Sequence, residues 1–239
     1  MKAISTVFRI IAAVSAALCI CSCASHRMLC PDAPSISTLL NPDRGPKPFA
    51  GSGIIRCSFD KQRFQTRIDV RWRNDSEFTA TIYDPFSQIL AILGIDSAGA
   101  YIEQDDSRTA LLDDKELSFP GFAVEYPFTF HDFVRIITGR LPSQCDVQRP
   151  PDSCYGSGAR NVFTWRNDSL STLIKTTGRE DRIQRITCRN RGKEPWRVDY
   201  SHFRAAMPAR IQFDMADADY CIFIYDQVRT IAPEAKKGK

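Results

Sequence analysis

From Gly51 onward the chain returns again and again to strict two-residue alternation of apolar and polar side chains, and nothing else narrows its fold so far. In Thr66-Arg-Ile-Asp-Val-Arg-Trp72, Ile68, Val70 and Trp72 point one way while Arg67, Asp69 and Arg71 point the other, because successive Cβ atoms of a strand lie on opposite faces. Phe78, Ala80 and Ile82 repeat the pattern, as do Trp196, Val198 and Tyr200, and Ile211 and Phe213 against Arg210 and Gln212. Strands with one polar face, separated by short polar breaks, predict antiparallel pairing. The segment 51–228 suits one domain.

The pentapeptide Trp-Arg-Asn-Asp-Ser occurs at 72–76 and again at 165–169, each time between two strand-like runs. Both copies read as hairpin turns, with Asn-Asp chosen for its tolerance of positive φ. One stretch departs from the strand period. In Thr129-Phe-His-Asp-Phe-Val-Arg-Ile-Ile-Thr-Gly139, Phe130, Phe133, Val134 and Ile137 fall at helical spacing, Thr129 and Asp132 stand in a capping-box arrangement, and Gly139 occupies the stop position. Two segments, Ile89-Leu-Ala-Ile-Leu93 and Tyr220-Cys-Ile-Phe-Ile-Tyr225, are apolar on both faces. Cover from a helix and a greasy internal cavity explain them equally well.

The N-terminus carries an address. Lys2 and Arg9 precede an uncharged apolar run from Ile10 to Cys21, too short to span a bilayer and followed by Ser25-His26-Arg27, so residues 1–22 read as a signal peptide. Ile20-Cys21-Ser22-Cys23 resembles the bacterial lipobox, with Cys23 the acylated residue; Ile20 and Leu18 are too bulky to precede the modified residue, which disfavours Cys21 and Cys19. Ala24 after the acceptor favours the outer membrane by analogy with enteric sorting. Residues 23–50 hold five prolines (Pro31, Pro34, Pro42, Pro46, Pro48) and read as a lipidated tether, and 229–239 as a basic tail. The 32 basic residues less Lys2 and Arg9 leave 30 against 28 acidic ones. That near-neutral balance, without a basic block, excludes a nucleic-acid footprint.

Chemistry-bearing motifs are sparse. Among the six cysteines after the anchor, Cys145 and Cys154 share one polar, proline-bearing segment and are the expected local disulfide, whereas Cys188 and Cys221 read equally as bridge partners or as small buried hydrophobes. No CxxC is present, and His26, His131 and His202 form no ligand spacing, so no metal or other cofactor is expected. Ser157 lacks the flanks of a nucleophile elbow, and the pairs Asp105-Asp106 and Asp113-Asp114 have no histidine beside them. No catalytic residue is expected, and the chain does not read as an enzyme.

Four stretches carry a resemblance to the LolB family of outer-membrane lipoproteins: Phe78-Thr-Ala-Thr-Ile-Tyr-Asp-Pro-Phe-Ser87, Phe130-His-Asp-Phe-Val-Arg-Ile-Ile-Thr-Gly-Arg-Leu-Pro142, Trp196-Arg-Val-Asp-Tyr200 and Ala206-Met-Pro-Ala-Arg-Ile-Gln-Phe213. The resemblance implies a mainly β (α+β) fold, a curved, incomplete antiparallel barrel with one or more short helices closing its open side over an apolar cavity. Candidate cavity-lining residues are Ile89, Leu90, Ile92, Leu93, Phe130, Phe133, Val134, Ile137, Ile222 and Ile224. By the same resemblance Pro85 and Phe86 form a membrane-delivery loop, with Phe86 exposed. The chain departs from the family at Ser87, where glycine is frequent, in having a proline-rich tether where the family usually has a helix, and in an apparent insertion over 143–158.

The function implied is a monomeric lipoprotein on the periplasmic face of the outer membrane that takes acylated proteins from a LolA-like carrier, shelters their acyl chains and inserts them into the bilayer. The alternative is a lipid-binding or structural envelope lipoprotein of the same fold that transfers nothing.

Overall fold

The computed structural model describes residues 47–231 except 60, 106, 112–116, 119–124, 127, 144, 146, 148, 158–159, 169, 178–181, 193–194, 205–206 and 215–218. The signal segment, Cys23, nearly all of the tether and residues 232–239 of the expected tail lie outside the described residues.

The chain runs through two meanders. The first comprises β1 (Phe49–Phe59), β2 (Gln62–Asn74), β3 (Glu77–Tyr83), β4 (Ile89–Asp96), β5 (Gly99–Gln104) and β6 (Ser107–Ala110). The second comprises β9 (Ser153–Ser157), β10 (Arg160–Arg166), β11 (Leu170–Thr177), β12 (Ile183–Asn190), β13 (Trp196–Arg204), β14 (Met207–Asp214) and β15 (Tyr220–Thr230). A small β7 (Leu117–Ser118) and β8 (Glu125–Tyr126) pair lies between them, followed by the helix α1 (Phe130–Ile137). All thirteen strands of the two meanders belong to one antiparallel sheet, ordered β6-β5-β4-β3-β2-β1-β15-β14-β13-β12-β11-β10-β9. The sheet is open: β6 and β9 are its two edges and do not meet.

The alternation read from the sequence sets the inner face. Ile68, Val70, Trp72, Phe78, Ala80, Trp196, Val198, Tyr200, Ile211 and Phe213 are all buried. Among the described residues the two meanders pair in the sheet only where β1 meets β15, from Phe49↔Thr230 to Ser58↔Tyr220. That seam begins two residues ahead of Gly51 and extends through Thr230. It also contains a bulge at Ser52/Gly53, where a Cβ on Gly53 would stand 2.0 Å from the Ile224 carbonyl oxygen. Only glycine permits so close a backbone approach.

The helix forms as its capping residues predict. Thr129 accepts the Asp132 N–H at 3.2 Å, and Gly139 ends the helix at φ +79°. The Asp132 carboxylate turns away from the cap and instead accepts the N–H and the hydroxyl of Ser143, at 2.5 and 2.8 Å. One face of α1 lies in an aromatic cluster, with Phe133 5.7 Å from Phe223 and 6.2 Å from Phe213 between ring centroids. Its far end is tied down by Tyr225, whose hydroxyl points to the Ile137 carbonyl at 3.4 Å, and by Arg140, which pairs with Asp75 and lies 4.8 Å over the Trp72 ring.

Both pentapeptides make hairpins, β2–β3 and β10–β11, but neither uses positive φ at its Asn or Asp. The asparagine side chains shape the turns instead: Asn74 Oδ1 accepts from Ser76 N at 2.8 Å and Asn167 Oδ1 from Leu170 N at 2.6 Å.

Candidate functional site

Beneath the first meander the concavity is empty. A hollow of about 460 Å³ is bounded by Ile55 and Cys57 of β1, Phe64 and Ile68 of β2, Ala80 and Ile82 of β3, Ala91 and Leu93 of β4, and Ile102 of β5. Its far wall is Phe133 of α1 with Cys221 and Phe223 of β15. A methylene is roughly the size of a water molecule, whose share of liquid volume is about 30 Å³, so the hollow accommodates on the order of fifteen methylenes. That is one fatty chain.

In the second half of the concavity the segment after α1, where an insertion is expected, packs against the sheet. The Arg149 carbonyl accepts the Trp165 indole N–H at 2.8 Å, Asp152 N donates to Thr164 O at 2.8 Å, and Arg149 pairs with Asp152. These bonds fasten the segment after α1 onto β10. Leu141, Cys145 and Cys154 are thereby buried in the core beside Trp165, Ile174 and Tyr200.

The mouth of the hollow is polar on one side and greasy on the other. Gln62, Gln65, Thr66 and Gln104 form its polar side, where Thr66 donates its hydroxyl to the Tyr83 carbonyl; the Tyr83 side chain itself lies on the convex face, where its hydroxyl donates to Asp69 at 2.9 Å. The bond to Asp69 and partial desolvation raise the Tyr83 phenol above its ordinary range. Next to it runs the loop from Asp84 to Gln88. Asp84 Oδ1 accepts from both Phe86 N and Gln88 N at 2.8 Å, and Ser87 adopts φ +67°. The Asx bonds therefore hold a tight turn in which a residue must be left-handed, which is why glycine is the easier occupant of that position.

The loop projects Phe86 outward at 85% exposure, the highest of any large apolar residue described. Ile89 and Leu90 follow it at 60% and 47%. Pro85 and Leu90 also line the hollow, so the exposed patch and the cavity mouth are continuous.

Of the lining candidates, Leu90, Leu93 and Phe133 border the hollow. The others require correction. Phe130, Val134 and Ile137 are buried in the aromatic core of α1 rather than along the cavity. Ile89 faces solvent. Ile92 lies between Thr81 and Glu103, Ile222 between Gln212 and Arg56, and Ile224 between Arg210 and Ile54. These three occupy the convex face, and their alternates Leu93, Cys221 and Phe223 look inward. A run apolar on both sides has no parity of its own, so only its cross-strand partners decide which side is in. A bulge adds to this at Leu90: Ile82 pairs with Ala91 but Tyr83 with Ile89, leaving Leu90 unpaired and turned to the mouth.

The disulfide expectation is also corrected. Cys154 is in a disulfide, its partner outside the described residues, but Cys145 is a buried thiol. Cys145 lies instead against Cys188 and Thr172 on the inner face of the second meander, where burial is the main cause of its raised pKa and pushes Cys188 up to about 11. No group of three or more His, Cys, Asp and Glu among the described residues could hold a metal ion.

No protein-family profile matches the chain, and no curated protein does. Solved structures do. A LolA superfamily protein from Nitrosomonas europaea superposes with a TM-score of 0.59 at 13% identity, over 85% of this chain and 95% of that one. A putative outer membrane lipoprotein-sorting protein domain from Vibrio parahaemolyticus gives 0.57 at 6% identity, covering 86% and 94%. A DUF1329 family protein from Desulfovibrio piger gives 0.56 at 5% identity, covering 85% and 92%. The chain has a LolA/LolB-like fold.

Proposed function

We propose that this protein is a non-enzymatic, membrane-tethered lipoprotein of the bacterial envelope that shelters an acyl chain in the hollow beneath β1–β5 and passes it to the bilayer across the Phe86 loop. The observation that carries this reading is the continuity of a hydrocarbon-walled cavity with an exposed apolar loop at its mouth. A chain inside exchanges water for apolar wall at about 0.8 kcal/mol per methylene. The bilayer interior offers the same per methylene, so no nucleotide is needed and the direction of transfer follows from how completely each site covers the chain. Phe86 prefers the membrane interface, where an aromatic ring is partly dehydrated, and docking there would bring the cavity mouth to the lipid surface. Cys23, acylated and left as the first residue once residues 1–22 are removed, supplies the tether, and the outer membrane is the proposed location. Acylated cargo would arrive from a LolA-like carrier, with the protein acting as a monomer.

The decisive experiment presents the soluble domain with an acylated protein loaded on its carrier and then adds liposomes. Movement of cargo first to the domain and then to the liposomes is the expected outcome. The cavity volume favours a second reading strongly enough to test beside it. A triacylated protein carries three chains, whereas the hollow fits about one, as suits a binder of single-chain lipids without transfer activity. Native mass spectrometry showing co-purified lipid, together with no uptake of cargo from the carrier, would select that alternative.

A further inference from the structure

The wall of the hollow contains two thiols that share one rung of the sheet. Cys57 on β1 and Cys221 on β15 are direct cross-strand partners in the seam between the meanders. Both are buried, both carry thiols, and both line the hollow. Directly opposed residues of an antiparallel pair have Cα atoms about 4.5 or 5.5 Å apart, depending on whether the rung is hydrogen-bonded, with side chains on the same face. A disulfide requires a Cα separation of about 4.4–6.8 Å. Either type of rung meets the Cα requirement, and a non-hydrogen-bonded rung, with Cβ atoms about 4.5 Å apart, also reaches the Cβ separation of about 3.5–4.5 Å that the bond needs.

We infer that Cys57 and Cys221 are a disulfide-forming pair whose oxidation staples the first meander to the second across the wall of the hollow. The reaction is thiol–disulfide exchange with an external disulfide donor. One cysteine thiolate attacks a donor sulfur, forming a mixed disulfide and releasing one donor thiol. The second cysteine then displaces the other donor thiol. Two cysteine thiols are oxidised, the donor disulfide is reduced to two thiols, and these carry away the two cysteine protons. An oxidising envelope compartment holds such donors, and the hollow gives them their route to the buried sulfurs. The consequence is mechanical. Among the described residues the two meanders meet in the sheet only through β1 and β15, so the reduced protein holds them together by backbone pairing and packing, while the oxidised protein adds a covalent tie that closes a very long loop. The pair forms its bond whatever the hollow binds.

The test uses the full chain, reduced with dithiothreitol, freed of reductant and exposed while folded to oxidised glutathione, then acid-quenched, alkylated and mapped by peptide mass. The expected product is a peptide pair joined through Cys57 and Cys221, with the melting temperature raised by on the order of 10 °C and the rise reversed by dithiothreitol. Cys57→Ser and Cys221→Ser should each keep the circular dichroism of the parent, lose the joined peptide and show a smaller reversible rise, the remainder being that of the Cys154 disulfide, which dithiothreitol also opens. Recovery of both cysteines alkylated, their conversion to glutathione adducts that do not close, or a bridge that joins either one to Cys145 or Cys188 would overturn the inference.

Discussion

Phe86 and Gly139 resist substitution for opposite reasons. Phe86 contributes little to folding, since it is held only by its loop and is almost wholly exposed. Phe86→Glu should therefore leave the melting temperature within a degree or two while weakening liposome binding on the order of tenfold, because a carboxylate does not enter the interface. A sedimentation assay with liposomes measures the loss, and unchanged binding would remove Phe86 from the delivery role. Gly139 is purely structural. Its φ of +79° disfavours any Cβ, and a Cβ there would meet Pro208 Cδ at 2.8 Å. Gly139→Ala should destabilise by about 2–4 kcal/mol, from the left-handed backbone and from overpacking together, as read from a urea midpoint. The same contact explains why two separate stretches of the sequence, the helix ending in Gly-Arg-Leu-Pro142 and Met-Pro-Ala209, belong together: the first needs a residue with no side chain where the second presents a proline ring.

At the scale of elements, α1 is the strut that keeps the hollow open. Phe133 forms part of the wall while Phe130, Val134 and Ile137 root the helix in the core. Thr129→Ala removes the oxygen that accepts the Asp132 N–H and should cost about 1 kcal/mol, measured by urea denaturation. A loss near zero would mean that the tie from Asp132 to Ser143 suffices. The pairing of the strands also sets a pH response. Cys145, Cys188, Tyr200 and Tyr225 all have their proton affinity raised by burial. In the unfolded chain Cys188 ionises near its ordinary value of 9.0, but in the folded protein only at about 11. Through that window the unfolded state binds fewer protons than the folded one, so stability falls as pH rises. The urea midpoint should be flat up to about pH 8 and decline above about pH 9. A midpoint rising there would contradict the burial of these groups.

On the scale of the whole molecule, the asymmetry between the halves carries the function proposed for the protein. One sheet with two similar meanders could form one wide trough. Here Arg149 and Asp152, after α1, are fastened to β10 at Trp165 and Thr164, and a cavity with the volume of about one chain lies beneath the first meander. A fluorescent single-chain fatty acid should accordingly bind with one-to-one stoichiometry. Leu93→Trp, placed on the cavity wall, should abolish binding while the fold, followed by circular dichroism, persists. Binding of two or more chains per protein would show that the second half takes up lipid too.

The amino-acid order alone was enough for the strands with one wet face, the two hairpins and the helix with its cap and its stop, because each of these is decided by residues within a few positions of one another. The resemblance to the LolB family singled out Phe86, in the Asp84-Pro85 context that shapes its loop. The amino-acid order did not reveal that Ile92, Ile222 and Ile224 face outward, that a bulge turns Leu90 to the mouth, that Cys145 and Cys154 do not bridge, or that Cys57 meets Cys221. Each of these depends on a neighbour brought from the other end of the chain or from the opposite strand, and side-chain parity in an apolar run, like the pairing of sulfurs, is set by that neighbour and not by local sequence.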